Sequence, residues 1–206
     1  MKIILLGKPL SGKGTQASFL AKKLHIPHIS TGTLLRKEIQ RKSALGRKVA
    51  LLLEKGKLVP DPLMFTLLKK HLPQKNFILD GYPRTLAQAQ DLEKICSLDL
   101  VLEISCPDQV ILQRSAARKS CRECGEVYGL HIPPKKKDIC DRCQGVLEQR
   151  SDDRVSTVKK RLAIYAKETK PLLSFYQKKN ISLSVPGDSS LAFLHRKMLQ
   201  KIESIK

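Results

Sequence analysis

The stretch GKPLSGKGT, Gly7 to Thr15, holds residue types that suit a phosphate group. In the pattern G-x-x-x-x-G-K-[ST], backbone N–H groups wrap phosphate oxygens, the following helix N-terminus adds positive partial charge, and the lysine reaches the outer phosphates. Gly7, Gly12 and Lys13 fit it; Gly14 stands where Ser or Thr is usual, and Leu10 sits where loops favour small residues. A second stretch, FILDGYPRT (Phe77–Thr85), ends an apolar run in Asp80. An acidic residue there suits water-mediated Mg²⁺ binding beside a phosphate loop, or else caps a turn. Cys121-x-x-Cys124 and Cys140-x-x-Cys143, fifteen residues apart, have the spacing of a tetrahedral Zn²⁺ site. Four thiolates leave no open position, so such a site serves folding rather than catalysis. Two disulfides or four free thiols are the alternatives. Cys96 and Cys106 have no such partner and read as small apolar residues, and His131 as incidental. Arg36, Arg84, Arg114, Arg118, Arg150 and Arg161 could grip phosphates with their planar forks, but spacing alone does not separate them from surface arginines.

The elements that must carry these residues follow from apolar patterning. KIILL (Lys2–Leu6) is an unbroken apolar run, right for a strand buried on both faces of a parallel sheet. Thr15–Leu24 has helical spacing at Ala17, Leu20, Ala21 and Leu24, which gives the strand, loop and helix order a phosphate loop requires. Strands are predicted at His28–Ser30, Phe77–Asp80, Leu98–Ile104 and Ile181–Val185. Helices are predicted up to about Lys55, then at Leu63–His71, Leu86–Ile95, Asp108–Arg118 with Asp108 as cap, Ser151–Lys179 capped by Ser151 or Asp152, and Leu191–Ile205. Alternation of strand and helix argues for an α/β fold with a central parallel sheet. From Cys121 to about Gln149 the periodicity disappears, marking an insertion with its own stabilising device. Lys135–Lys137 reads as a solvated turn.

The 206-residue chain is one domain's worth, with room for an inserted subdomain. Lys and Arg number 39 against 19 Asp and Glu, a formal charge of +20, which favours anionic partners such as nucleotides or nucleic acid, or simply a solvated surface. MKIILLG is too short for a signal-peptide core, and no apolar run reaches membrane-spanning length, so a cytoplasmic location without a membrane partner is expected.

Taken together, GKPLSGKGTQ, HISTGTLLR, GKLVPD, LDGYPRT with Gln88, RKSCRECGEVY, CDRC and QRSDDR with Arg161 resemble the adenylate kinase family in its zinc-containing bacterial form. The family loop itself carries Gly-Thr after the lysine, so only Leu10 departs from it. The resemblance implies a P-loop nucleoside monophosphate kinase fold. Its core would be 1–29, 60–116 and 154–206, its AMP-binding helical segment 30–59, and its small zinc lid 117–153. It implies ATP contacts from Leu10, Ser11, Gly12, Lys13, Gly14, Thr15, Arg114, Arg118, Val127, Tyr128 and Ser189. It implies AMP contacts from Thr31, Arg36, Lys57, Leu58, Val59, Gly81, Tyr82, Pro83, Arg84, Gln88, Arg150 and Arg161, with Gln88 reading adenine. Lys13, Arg84, Arg118, Arg150 and Arg161 would be catalytic, Asp80 would hold Mg²⁺ through water, and the protein would be a monomer acting on ATP, AMP and ADP. Thr33 replaces the family's aspartate and removes one carboxylate from the Mg²⁺ neighbourhood. If Leu10 needs positive φ it carries about 1–2 kcal/mol of strain, and its side chain would crowd the phosphates. The competing readings are a kinase selective for UMP or CMP, which Gln88 and Thr31 oppose, and a basic nucleic-acid-binding scaffold, which the scarcity of aromatic residues opposes.

Overall fold

A computed structural model describes residues 1–205. Five parallel strands form the central sheet in the order β2-β3-β1-β4-β8: β1 (Lys2–Gly7), β2 (His28–Ser30), β3 (Phe77–Asp80), β4 (Leu100–Ser105) and β8 (Ser182–Pro186). Side-chain alternation along β1 divides the core. Ile4 and Leu6 pack with Leu68, Leu79, Tyr82, Leu92 and Tyr176 on one face. Ile3 and Leu5 pack with Leu20, Ile78, Leu194 and Met198 on the other. Both faces are covered, so β1 needs no polar alternation. Helix α1 (Lys13–Leu24) and helix α9 (Leu191–Glu203) lie on the second face.

Helices α2 (Thr31–Gln40) and α3 (Ala44–Glu54) form a hairpin that rises from the carboxyl end of β2. Ser30 and Ser43 cap them, accepting from the N–H of Thr33 and Gly46. Helix α4 (Asp61–Lys69) starts two residues before the expected Leu63, because Pro62 is suited to a first helical turn. Helix α5 (Leu86–Glu93) is capped by Thr85. In α6 (Asp108–Ala117) the cap is Pro107; Asp108 lies in the first turn and pairs with Lys8 at 2.6 Å, a correction to the expected cap.

The cysteine-bearing insertion is a small three-stranded antiparallel sheet, β6-β5-β7: β5 (Lys119–Cys121), β6 (Val127–Tyr128) and β7 (Leu147–Glu148). The single helix expected over Ser151–Lys179 is in fact four pieces. Ser151–Asp153 is a 3₁₀ turn, α7 (Val155–Ile164) follows, Tyr165–Thr169 is π-helical, and α8 (Pro171–Gln177) resumes. Neither Ser151 nor Asp152 caps α7; Arg154 does so without a side-chain bond. The widening has a cause at Pro171, whose ring cannot sit against the carbonyl four residues back in a tight helix. Lys170 N–H therefore reaches Tyr165 O, and Thr169 Oγ1 is turned to donate to Arg84 O at 2.8 Å. No helix is long and apolar enough to cross a membrane among the described residues.

Candidate active site

The carboxyl ends of β1, β3 and β4 open onto one cleft. At its floor, α1 starts directly after Gly12, whose φ of 102° makes Lys13 the first helical residue rather than the expected Thr15. The ammonium of Lys13 donates to Gly7 O at 2.8 Å and to Lys8 O at 2.5 Å. Burial lowers its pKa to about 8, against the opposing pull of Asp80. Asp80 ends β3 with its carboxylate over the loop, 3.5 Å from where a side chain on Gly14 would begin. Among the described residues its one side-chain hydrogen bond is from Ser30 Oγ, at 3.4 Å. A carboxylate this lightly engaged beside a phosphate loop fits water-mediated Mg²⁺, and Thr33 sits exposed on α2 without replacing the missing acid.

Leu10 does adopt positive φ, 63°. Its side chain is 8 % exposed and packs against Cys106, Ile111 and Val158. It therefore fills a small apolar cluster beneath the loop instead of crowding the phosphates. Glycine here would relieve about 1–2 kcal/mol of strain. It would also forfeit the packing of a buried leucine, about 2–5 kcal/mol. Leu10→Gly is thus expected to lower unfolding free energy by about 1–3 kcal/mol in urea titrations; a gain would mean that strain outweighs packing. Ser11 is buried beside it, and Arg114 spends its guanidinium on backbone, donating to Ser11 O at 3.0 Å and Gly187 O at 2.7 Å. Arg114 is thereby separated from the other five arginines and ties the phosphate loop to the turn that carries Ser189.

Those five gather with Lys13 around the cleft. Lys13, Arg36, Arg84, Arg118, Arg150 and Arg161 face Asp80, Asp152 and Asp153, six cations against three carboxylates. Burial and then mutual repulsion push Arg84 below the usual guanidinium range, and burial lowers Arg36, Arg150 and Arg161 as well. The carboxylates are placed as struts. Arg118 grips the fully buried Asp153 with two N–H groups, one at 2.7 Å, and Arg161 donates to Asp152 at 2.8 Å. The motif QRSDDR contains both acids, but their pairing with arginines emerges only from the fold. Arg150 donates to Ser120 Oγ at 3.2 Å.

Beside the cluster, Thr31, Leu35, Lys57, Leu58, Val59, Met64, Gly81, Tyr82, Arg84 and Gln88 line a small pocket. Gly81 has φ 83° and approaches Thr31 so closely that a Cβ would lie 2.5 Å from its hydroxyl. Thr31 Oγ1 donates to Gly81 O at 2.9 Å, which fixes the turn into Pro83 and Arg84. Across the cleft, Gln40 Nε2 on α2 donates at 3.1 Å to Arg122 O, in the turn that follows β5 in the cysteine-bearing insertion. Gln40 and Asp61, whose contacts are described below, are absent from the sequence-based site.

In the insertion, all four Sγ atoms of Cys121, Cys124, Cys140 and Cys143 lie within 4.8 Å of one another. Cys121 to Cys143 is 3.4 Å and Cys124 to Cys140 is 3.5 Å. Tetrahedral Zn²⁺ with bonds of about 2.3 Å has sulfur edges of roughly 3.8 Å, so the donor set fits. Tyr128 is buried here, its hydroxyl 3.4 Å from Cys140 Sγ and accepting from Asp141 N–H. Its ring belongs to the knuckle, which leaves the Tyr128 backbone and the partly exposed Val127 to face outward. Apart from this knuckle the insertion has little apolar core, so Cys140→Ser is expected to abolish stoichiometric zinc and lower the thermal midpoint by about 10 °C. Metal analysis with calorimetry checks it; unchanged melting would refute a folding role for the metal.

Known proteins resemble the chain over nearly its whole length. The adenylate kinase family model matches residues 5–181. The chain is 42% identical over 212 residues to the adenylate kinase of Caldicellulosiruptor saccharolyticus, covering 98% of this chain and 99% of that one. It is 40% identical over 216 residues to that of Archaeoglobus fulgidus, with full coverage of both. It is 44% identical over 197 residues to that of Clostridium tetani, with 91% of each covered. The chain therefore belongs to the adenylate kinase family, as a nucleoside monophosphate kinase with an α/β P-loop fold.

Proposed function

We propose that the protein catalyses ATP + AMP ⇌ 2 ADP by positioning and charge neutralisation, in a core of 1–29, 60–116 and 154–206 served by an AMP-binding segment (30–59) and a lid (117–153). The observation that carries this is the excess of buried cationic groups around one cleft, with carboxylates too few to balance them. An anionic ligand would neutralise the surplus charge, and two nucleotides supply one. The phosphate loop, Lys13 and Arg118 hold ATP phosphates; Arg36 and Arg84 hold the AMP phosphate; Arg150 and Arg161 lie between them. The pocket of Thr31, Val59 and Gln88 takes the AMP base, and the backbone at Val127, Tyr128 and Ser189 lies along ATP.

An oxygen of the AMP phosphate attacks the γ-phosphorus. A new P–O bond forms there as the bond to the β-phosphate oxygen breaks, and both products leave as ADP. The nucleophile is anionic near neutral pH, so no general base is needed. Mg²⁺, held through water by Asp80, would supply further charge neutralisation on the phosphates. The Gln40–Arg122 contact joins the segment and the lid over the cleft, which excludes water and protects ATP from hydrolysis. Zinc in the cysteine knuckle would hold the lid as one unit without touching substrate. The test is a coupled assay of ADP formation from ATP with AMP, CMP, UMP and GMP; a preference for any acceptor other than AMP would overturn the assignment.

A further inference from the structure

We infer that Asp61 is a positioning residue that fixes which way round the Gln88 amide points, and thereby makes the acceptor pocket select adenine over hypoxanthine. The inference rests on the reading of Gln88 as the group that meets the AMP base. Gln88 is 3 % exposed and lines the pocket, whereas Asp61 stands behind it at the head of α4. A glutamine amide has two N–H donors and two acceptor positions on its oxygen. The protein uses one of each. Gln88 Nε2 donates to Asp61 Oδ1 at 2.6 Å, and Gln88 Oε1 accepts from Arg84 N–H at 2.8 Å. One donor and one acceptor remain for a ligand, in an order set by these two partners.

Neither partner can serve a reversed amide. An ionised carboxylate has no hydrogen to give, and a backbone N–H has no lone pair to offer. Turning the amide over would set oxygen against carboxylate and N–H against N–H at a side chain that is almost wholly buried, leaving those groups unmatched. Asp61 is itself held: Thr85 Oγ1 donates to its Oδ2 at 3.0 Å, and the same hydroxyl accepts from Gln88 N–H at 3.2 Å. The first turn of a helix also favours a negative side chain. Adenine presents an acceptor at N1 and a donor at its 6-amino group. Hypoxanthine presents the reverse, a donor at N1 and an acceptor at O6. The fixed order on Gln88 matches the first base and opposes the second.

Asp61→Asn keeps the shape but lets the new side-chain amide rotate and donate to a reversed Gln88. Rates of AMP and IMP phosphorylation by ATP are compared for both proteins. The expected result is a rise of about tenfold in the ratio of kcat/KM for IMP to that for AMP, with thermal melting close to the parent. Loss of both activities in proportion, with the ratio unmoved, would show a merely structural role and overturn the inference. Asp61→Ala, which removes the acceptor outright, must shift the ratio in the same direction and decides the matter if the asparagine variant folds poorly. Gln88→Leu separates the underlying reading: if it leaves AMP utilisation intact, Gln88 does not meet the base and both statements fall, whereas loss of AMP selectivity there with no shift at Asp61 overturns the role of Asp61 alone.

Discussion

Substituting methionine for Lys13 is expected to lower kcat/KM for phosphoryl transfer by roughly a thousandfold, in line with loss of a preorganised charge at a transferring phosphoryl group. Methionine keeps most of the apolar stem, so the loss reports the ammonium. The free protein holds that ammonium on Gly7 O and Lys8 O, both carbonyls of the loop that must receive phosphate. Burial has already lowered its pKa to about 8. The sign of the pH dependence follows. Between about 8 and the ordinary lysine value of 10.5, the unfolded chain binds this proton and the folded chain does not, so this group makes ligand-free stability rise with pH across that window. A bound triphosphate favours the charged form, so ATP binding takes up a proton above pH 8 and weakens by up to about tenfold per pH unit. Calorimetry in two buffers of different ionisation enthalpy measures the uptake. The methionine variant should show none of it from this position, and uptake undiminished in that variant would place the titration elsewhere.

What the sequence disclosed of this site follows the range of the interactions. Gly7–Thr15 and the two Cys-x-x-Cys pairs are legible because their chemistry needs residues close in the chain, and β1 because burial on both faces leaves an unbroken apolar run. Leu10 was visible as a departure, but its compensation was not. The residues that receive it, Cys106, Ile111 and Val158, come from β4–α6 and α7. The π turn at Tyr165–Thr169 reads as plain helix in the sequence, because an apolar helical period persists through it and Pro171 alone signals the break. In the sequence Asp61 is only the last residue of GKLVPD; its bond to Gln88 spans 27 positions. The arginines illustrate the same limit. Composition supplied too many candidates, and only the fold separates Arg114, tied to backbone under the phosphate loop, from the five that ring the cleft.

Those five are not equivalent, and Arg84 and Arg118 should differ in sign. Both substitutions to alanine are expected to reduce kcat/KM by roughly a hundredfold or more, because each removes a cation from the developing phosphoryl charge. Their effects on the ligand-free protein should oppose one another. Arg118 is bonded through two N–H groups to Asp153, which is fully buried. Removing it leaves a carboxylate in the interior with Arg161 at 3.7 Å as its remaining cation. Breaking a buried pair in this way costs about 3–5 kcal/mol, and the surviving arginine returns part of it, so a loss of about 2–4 kcal/mol is expected. Arg84 has no carboxylate partner within ion-pair distance among the described residues; its Nε donates to Gly81 O at 2.9 Å, and burial and repulsion from Arg161 and Arg36 are opposed by attraction to the more distant Asp80 and Asp152. Arg84→Ala relieves a buried like charge and should leave the free protein about as stable or up to about 1 kcal/mol more so. Saturating ATP and AMP should reverse that order for Arg84, since ligand binding stabilises only the parent strongly. Denaturant melts of both variants, with and without nucleotides, test the scheme. Equal destabilisation of the two free proteins would mean that Asp153 is not a strut for Arg118 and that the cluster is balanced without ligand.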